Sequence, residues 1–137
     1  MNPARILVVD DDENLRWVLK TQLEEMGYSV STVIDGEQAL AAIESDPPAL
    51  ILTDLKMPGL SGLELLDQIR PDYPELPVVI ITAFATIQNA VQAMRAGAYD
   101  YLTKPIDYDE LALVVSRVLE HFQLIAEVRS LRASLDR

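Results

Sequence analysis

Four places in this sequence carry side chains that could do chemistry together: Asp10-Asp11-Asp12, Thr53-Asp54, Thr82 and Lys104. Carboxylates gathered closely repel one another and cannot all stay ionised without a cation. An all-oxygen ligand set with open positions suits Mg²⁺, which keeps several waters and readily shares phosphate oxygens. An ionised carboxylate flanked by a metal is a competent nucleophile, and aspartyl phosphate is the intermediate it forms. Phosphoryl transfer then needs in-line positioning and neutralisation of the equatorial oxygens. Magnesium and the Lys104 ammonium would provide the positive charge, and the Thr82 hydroxyl would donate to one oxygen.

Taken singly, each group has a plainer reading. An Asp run ahead of a helix is an N-cap with favourable first-turn charge, and Asp12 suits that role. A lone Asp54 after a strand is a turn residue. A lone Thr82 is a helix or turn cap, and a lone Lys104 is a solvated surface lysine. Their placement is what binds them together, because all four stand at or just after the ends of apolar runs.

Those runs are Ile6 to Val9, Ala49 to Leu52, Val78 to Ile81 and a weaker Tyr101-Leu102. The first three are continuous, the pattern of strands buried on both faces in a parallel sheet covered by helices. Ser29 to Val33 alternates and suggests an edge strand. Between the runs, Glu13 to Met26 places Leu15, Val18, Leu19, Leu23 and Met26 on one helical face and ends at Gly27. Glu37 to Ser45 is closed by Pro47-Pro48, Gly62 to Ile69 stops before Pro71, and Thr86 to Ala96 stops at Gly97. A last helix begins near Asp107.

Strand and helix thus alternate five times along the chain, which implies right-handed βαβ units. The predicted fold is α/β, a doubly wound (βα)₅ flavodoxin-like parallel sheet in the order 2-1-3-4-5, with an extended C-terminal helix. Ligands in such sheets bind beyond the carboxyl ends of the strands, near the point where strand order reverses. The carboxylates, the hydroxyl and the ammonium would all meet there.

Bulk properties narrow the function further. The 137 residues fit one domain. With 11 basic and 22 acidic residues the formal charge is −11, which argues against direct nucleic-acid binding, since phosphates must be neutralised by Lys and Arg. A hard cation or a partner with a basic face fits better. Cysteine is absent, so disulfides, thiolate metal sites and cysteine nucleophiles are excluded. No secretory signal is expected at the N-terminus and no apolar stretch is long enough for a membrane helix, so a cytoplasmic protein is the expectation.

At these same residues the chain resembles the receiver domain of bacterial response regulators, the CheY-like family. The resemblance runs from about Arg5 to Phe122 and is carried by VVDDD at 8–12, LTDLKMPGLSG at 52–62, ITA at 81–83 and AGAYDYLTKP at 96–105. It implies that Asp54 accepts a phosphoryl group from a sensor histidine kinase. It implies a Mg²⁺ site made by Asp10, Asp11, Asp54 and the backbone carbonyl of Lys56, with Asp11 a direct ligand and Asp10 acting largely through water. Lys104 would pair with the phosphoryl group and precede a cis bond to Pro105. Thr82 and Tyr101 would form a switch pair, while Lys56 and Phe84 occupy places that tune dephosphorylation. Such a domain promotes only its own phosphorylation and dephosphorylation and is not a turnover enzyme.

Other chemistries on this fold fit less well. A haloacid-dehalogenase-like phosphatase wants a second Asp two positions after the nucleophile, where Lys56 stands. A nucleotide or flavin site would need a glycine-rich phosphate loop, and acids crowd that place instead. His121, the single histidine, is read as neither catalyst nor ligand, and Trp17 as a partly exposed aromatic that would help bind a kinase.

From Asp107 onward the chain reads as helix without Gly or Pro and would span roughly 46 Å if continuous. Leu111, Val115, Val118, Phe122 and Ile125 follow a heptad seam that Val128, Leu131 and Leu135 continue after one shortened step. The expected division is a receiver over 1–120 and, over 121–137, a coiled-coil linker that forms a parallel homodimer and leads to an absent output domain, with a frayed or disordered end as the alternative. The combined pattern, with RWVL at 16–19, resembles the receiver and linker of enhancer-binding transcription activators.

Overall fold

In the computed structural model, residues 3–135 are described, with the side chains of 122–130, 133 and 134 outside that set. The elements run β1 (Arg5–Val9), α1 (Glu13–Glu25), β2 (Ser29–Val33), α2 (Gly36–Ser45), β3 (Leu50–Thr53), α3 (Gly62–Ile69), β4 (Val78–Thr82), α4 (Ile87–Arg95), β5 (Asp100–Thr103) and α5 (Tyr108–Leu135). The strands form one parallel sheet in the order β2-β1-β3-β4-β5, as the alternation predicts.

The continuous apolar runs have the expected cause. Successive strand residues point to opposite faces, and here both faces are covered. Ile6, Val8, Leu50, Leu52, Val79 and Ile81 pack with Leu19 and Leu23 of α1 and Leu111 and Val115 of α5. Leu7, Val9, Ile51 and Ile80 pack with Ala39 and Ile43 of α2, Leu65 and Leu66 of α3 and Ala93 of α4. Alternating β2 lies at the edge, with Ser29 and Ser31 exposed and Val30 buried.

Side-chain caps set the helix starts. Asp12, Asp35, Ser61 and Thr86 accept from the backbone N–H three residues on, at 3.2, 2.8, 3.1 and 3.0 Å. Ser61 and Glu64 form a reciprocal capping box. α2 starts at Gly36, one residue before the predicted start, because Asp35 is its cap. Gly97, at φ +102°, ends the α4 segment in a left-handed conformation that a side chain would strain. Over its first half α5 packs on the sheet, with Leu111, Val115 and Val118 buried, whereas Leu131 and Leu135 are 65% and 82% exposed. Of the remaining seam positions, the side chains of Phe122, Ile125 and Val128 lie outside the described residues.

Candidate functional site

The acidic residues that end β1 and β3 are held by continued strand pairing. Asp10 N–H donates to the Val33 carbonyl at 3.2 Å, and Asp54 N–H donates to the Val9 carbonyl at 3.0 Å. Both carboxylates therefore arise from fixed backbone and are buried, while Asp11 is exposed beside them. The start of α3 is pressed against the same strand end. Gly62 N–H donates to Leu55 O at 2.8 Å, and a Cβ at Gly62 would collide with the Asp54 carbonyl. Only glycine allows that approach.

Asp10, Asp11 and Asp54 each offer a carboxylate oxygen within 4.8 Å of the others. Lys104 reaches in from the end of β5, its Nζ 3.0 Å from Asp10 Oδ2 and 2.8 Å from Asp54 Oδ2. Its backbone N–H donates to the Thr82 carbonyl at 2.9 Å, which joins the ends of β4 and β5, and the Lys104–Pro105 bond is cis. Thr82 is fully buried, and its hydroxyl oxygen accepts from Phe84 N–H at 3.0 Å. All four sequence loci thus meet at one edge of the sheet. Asp12 stands apart in role, as the cap of α1.

Lys56, Phe84 and Tyr101 lie around this centre. Lys56 Nζ sits 4.1 Å from the centroid of the Phe84 ring, a cation–π contact at the rim. Lys56 N–H lies 3.4 Å from Asp54 Oδ1, a long bond. Tyr101 is half-buried, with its hydroxyl 3.4 Å from the Phe84 carbonyl. Trp17 is 68% exposed on α1. His121 is remote from the acids, its ring 6.3 Å from that of Tyr99, whose N–H bonds the first residue of β4. A cavity of about 470 Å³ also opens at that opposite end, beside Arg70, Tyr99 and His121. The Arg70 guanidinium there is committed to structure, donating to the carbonyls of Tyr73, Pro74, Leu76 and Gly97 at 3.1, 3.0, 2.9 and 3.0 Å.

The electrostatics favour a bound cation. Burial raises the Asp10 carboxyl above its ordinary range, against the Asp12 amide and the Lys104 ammonium, which pull it down. Burial alone would lower Lys104, but its hydrogen bonds to Asp54 and Asp10 and their charges outweigh this and leave it raised. With all three carboxylates ionised, one lysine leaves two negative charges unbalanced. Hard oxygen donors and a deficit of two charges fit Mg²⁺. Adding Mg²⁺ at ten times its dissociation constant is expected to stabilise the fold by about 1.4 kcal/mol, read as a rise in thermal midpoint of a few degrees. An unchanged midpoint in Mg²⁺ at any concentration up to tens of millimolar would count against the site.

Two polar residues of the site escaped sequence reasoning. Arg16 Nη1 donates to the Asp10 carbonyl at 2.8 Å, and Asn89 Nδ2 donates to the Phe84 carbonyl at 2.7 Å. Both bind main-chain oxygens, which have no residue type to announce them. A basic residue on the first turns after the acidic loop was the one available signal.

Residues 6–116 match the family model of the response regulator receiver domain. The DNA-binding transcriptional regulator NtrC of Salmonella typhimurium is 42% identical over 134 residues, covering 98% of this chain and 29% of that protein. The nitrogen assimilation regulatory protein NtrX of Azorhizobium caulinodans is 43% identical over 129 residues, 93% of this chain and 28% of its own length. The crystal structure of NtrX from Brucella abortus superimposes with a TM-score of 0.87 at 44% identity, over 94% of this chain and 29% of that one. The chain therefore spans less than a third of the length of these relatives.

Proposed function

Since this chain belongs to the response regulator receiver domain family, we propose that it is a switch set by phosphorylation of Asp54, with the phosphohistidine of a sensor histidine kinase as donor. The observation that carries this reading is the single ammonium of Lys104 bridging the buried Asp10 and Asp54 with Asp11 alongside. Asp10, Asp11, Asp54 and the Lys56 carbonyl would hold Mg²⁺, which when bound neutralises developing charge on the phosphoryl oxygens. An Asp54 oxygen attacks phosphorus, the bond from phosphorus to the imidazole nitrogen breaks, and that nitrogen keeps the electron pair. Lys104 then has a phosphoryl oxygen to pair with in place of a carboxylate.

Phe84 would link the chemistry to the surface. Its N–H is bonded to the Thr82 hydroxyl oxygen, its carbonyl accepts from Asn89 and Tyr101, and its ring lies under Lys56. If the Thr82 hydroxyl turns toward a phosphoryl oxygen, the Phe84 amide loses its acceptor. The loop from Ala83 to Thr86 must then rearrange, and Tyr101 with it. That would bias an inactive–active equilibrium read at the face of α4, β5 and α5. Lys56 and Phe84, exposed at the rim, would govern how water reaches the phosphoryl group.

We further propose that the domain promotes only its own phosphorylation and dephosphorylation, acts in the cytoplasm, and relays its state to an output domain of transcriptional type. Among the described residues no helix is long and apolar enough to cross a membrane. Residues 121–137 would serve as the linker, pairing with a second copy in a parallel coiled coil; the exposure of Leu131 and Leu135 supports this.

Beryllofluoride tests the switch. With Mg²⁺ present it is expected to give a saturable change in Trp17 fluorescence and in the amide spectrum of the loop after β4, reversed by a chelator. A native protein that binds Mg²⁺ yet shows no such response would overturn the reading.

A further inference from the structure

We infer that Arg16 is a positioning residue for the cation site, holding the Asp10-Asp11 segment in register through the main chain. This rests on the proposed Mg²⁺ pocket and adds to it a residue outside the ligand set. Asp10 N–H still pairs with the Val33 carbonyl, but the ladder ends there and α1 has not begun, so the Asp10 carbonyl and Asp11 need other bonds to hold them. Four bonds bridge the gap. Asp12 N–H donates to Asp10 Oδ1 at 2.9 Å, and Asp12 Oδ1 accepts from Leu15 N–H at 3.2 Å. Arg16 N–H donates to the Asp12 carbonyl at 3.0 Å, and the Arg16 guanidinium donates to the Asp10 carbonyl at 2.8 Å. The last bond is the one that reaches from the second turn of α1 back to the residue leaving the sheet. Arg16 is half-buried, so this contact is partly shielded from water.

The choice of partner is informative. Arg16 bonds a carbonyl, and among the described residues it forms no ion pair with a carboxylate. Charge and position therefore predict opposite effects of its removal. A guanidinium bonded to the Asp10 carbonyl brings a positive charge near the site and repels an incoming dication, so deleting it for charge alone would tighten Mg²⁺ binding. Deleting a tether that fixes two ligands would loosen it, as loss of supporting bonds around metal ligands commonly does. A positioning role requires the second sign.

The test measures Mg²⁺ affinity calorimetrically in the full chain for the native protein, Arg16→Ala and Arg16→Lys. Position predicts that Arg16→Ala weakens binding about tenfold and that Arg16→Lys, still able to donate to the carbonyl, restores most of it. Equal or tighter binding by Arg16→Ala overturns the inference. Should Arg16→Ala not fold, Arg16→Met, which keeps an aliphatic stem and has no donor, decides by the same sign. A metal-free measurement stands beside it: hydrogen exchange at the Asp12 amide should quicken in the Ala variant and remain near native in the Lys variant, and unchanged exchange also overturns the role. A native protein that binds no Mg²⁺ would defeat the pocket reading, and the exchange comparison would still decide the tether.

Discussion

Incubated with acetyl phosphate and Mg²⁺, the native protein is expected to gain the mass of one phosphoryl group, and Asp54→Asn none. The hydrogen bonds single out Asp54 from its neighbours. Asp10 has both oxygens engaged, Oδ1 by the Asp12 amide at 2.9 Å and Oδ2 by Lys104 at 3.0 Å. Asp54 commits Oδ2 to Lys104 at 2.8 Å, but Oδ1 meets only the long 3.4 Å contact from the Lys56 amide. One oxygen of Asp54 is thus anchored while the other keeps its lone pairs largely uncommitted, as the proposed attack on phosphorus requires. Asp11 is exposed and lacks the Lys104 contact that would neutralise a phosphoryl group on it. Asparagine fits the same space and retains an oxygen toward Lys104, so the fold should survive. Its neutral amide is a poor nucleophile, so labelling should vanish rather than slow. Equal labelling of the variant, mapped to Asp10 or Asp11, would refute the assignment.

What could be read from the residues follows from what leaves a mark on residue type. β1, β3 and β4 were legible because strands buried on both faces demand unbroken apolar runs such as Val78 to Ile81. The site was legible because parallel strands deliver their ends to one edge, so Asp10, Asp54, Thr82 and Lys104 had to meet once the strand order was known. That a single Lys104 Nζ contacts both Asp10 and Asp54 was not legible, since it depends on side-chain reach across three strand ends. Arg16, Asn89 and Arg70 were missed for a shared reason. Each bonds a main-chain carbonyl, an acceptor that every residue carries alike.

Replacing Lys104 with Met should destabilise the metal-free protein by about 2–4 kcal/mol near neutral pH. The lysine side chain is 20% exposed and its two partners 4% and 8%, so the substitution leaves two buried carboxylates facing each other without their cation. The figure sits below that for a fully buried pair, because Asp10, already raised by burial, relieves the strain by taking up a proton. That escape fixes the pH dependence. Lys104 is raised above 10.5, so its contribution is complete below that value and is lost as pH climbs through its folded pKa. Asp10 is raised above 3.8, so its ionised form costs stability at neutral pH and the cost fades on acidification. Without the ammonium the Asp10 carboxyl protonates more readily, so the variant gains on the native protein as pH falls. The stability gap should therefore be widest from neutral to mildly alkaline pH and narrow toward both extremes. Mg²⁺ should narrow it as well, since a dication supplies the charge that the lysine no longer does. Urea unfolding across a pH series, with chelator and then with Mg²⁺, measures the gap. A gap that stayed constant from neutral pH into the carboxylate range, and ignored Mg²⁺, would mean that Lys104 contributes packing and not charge.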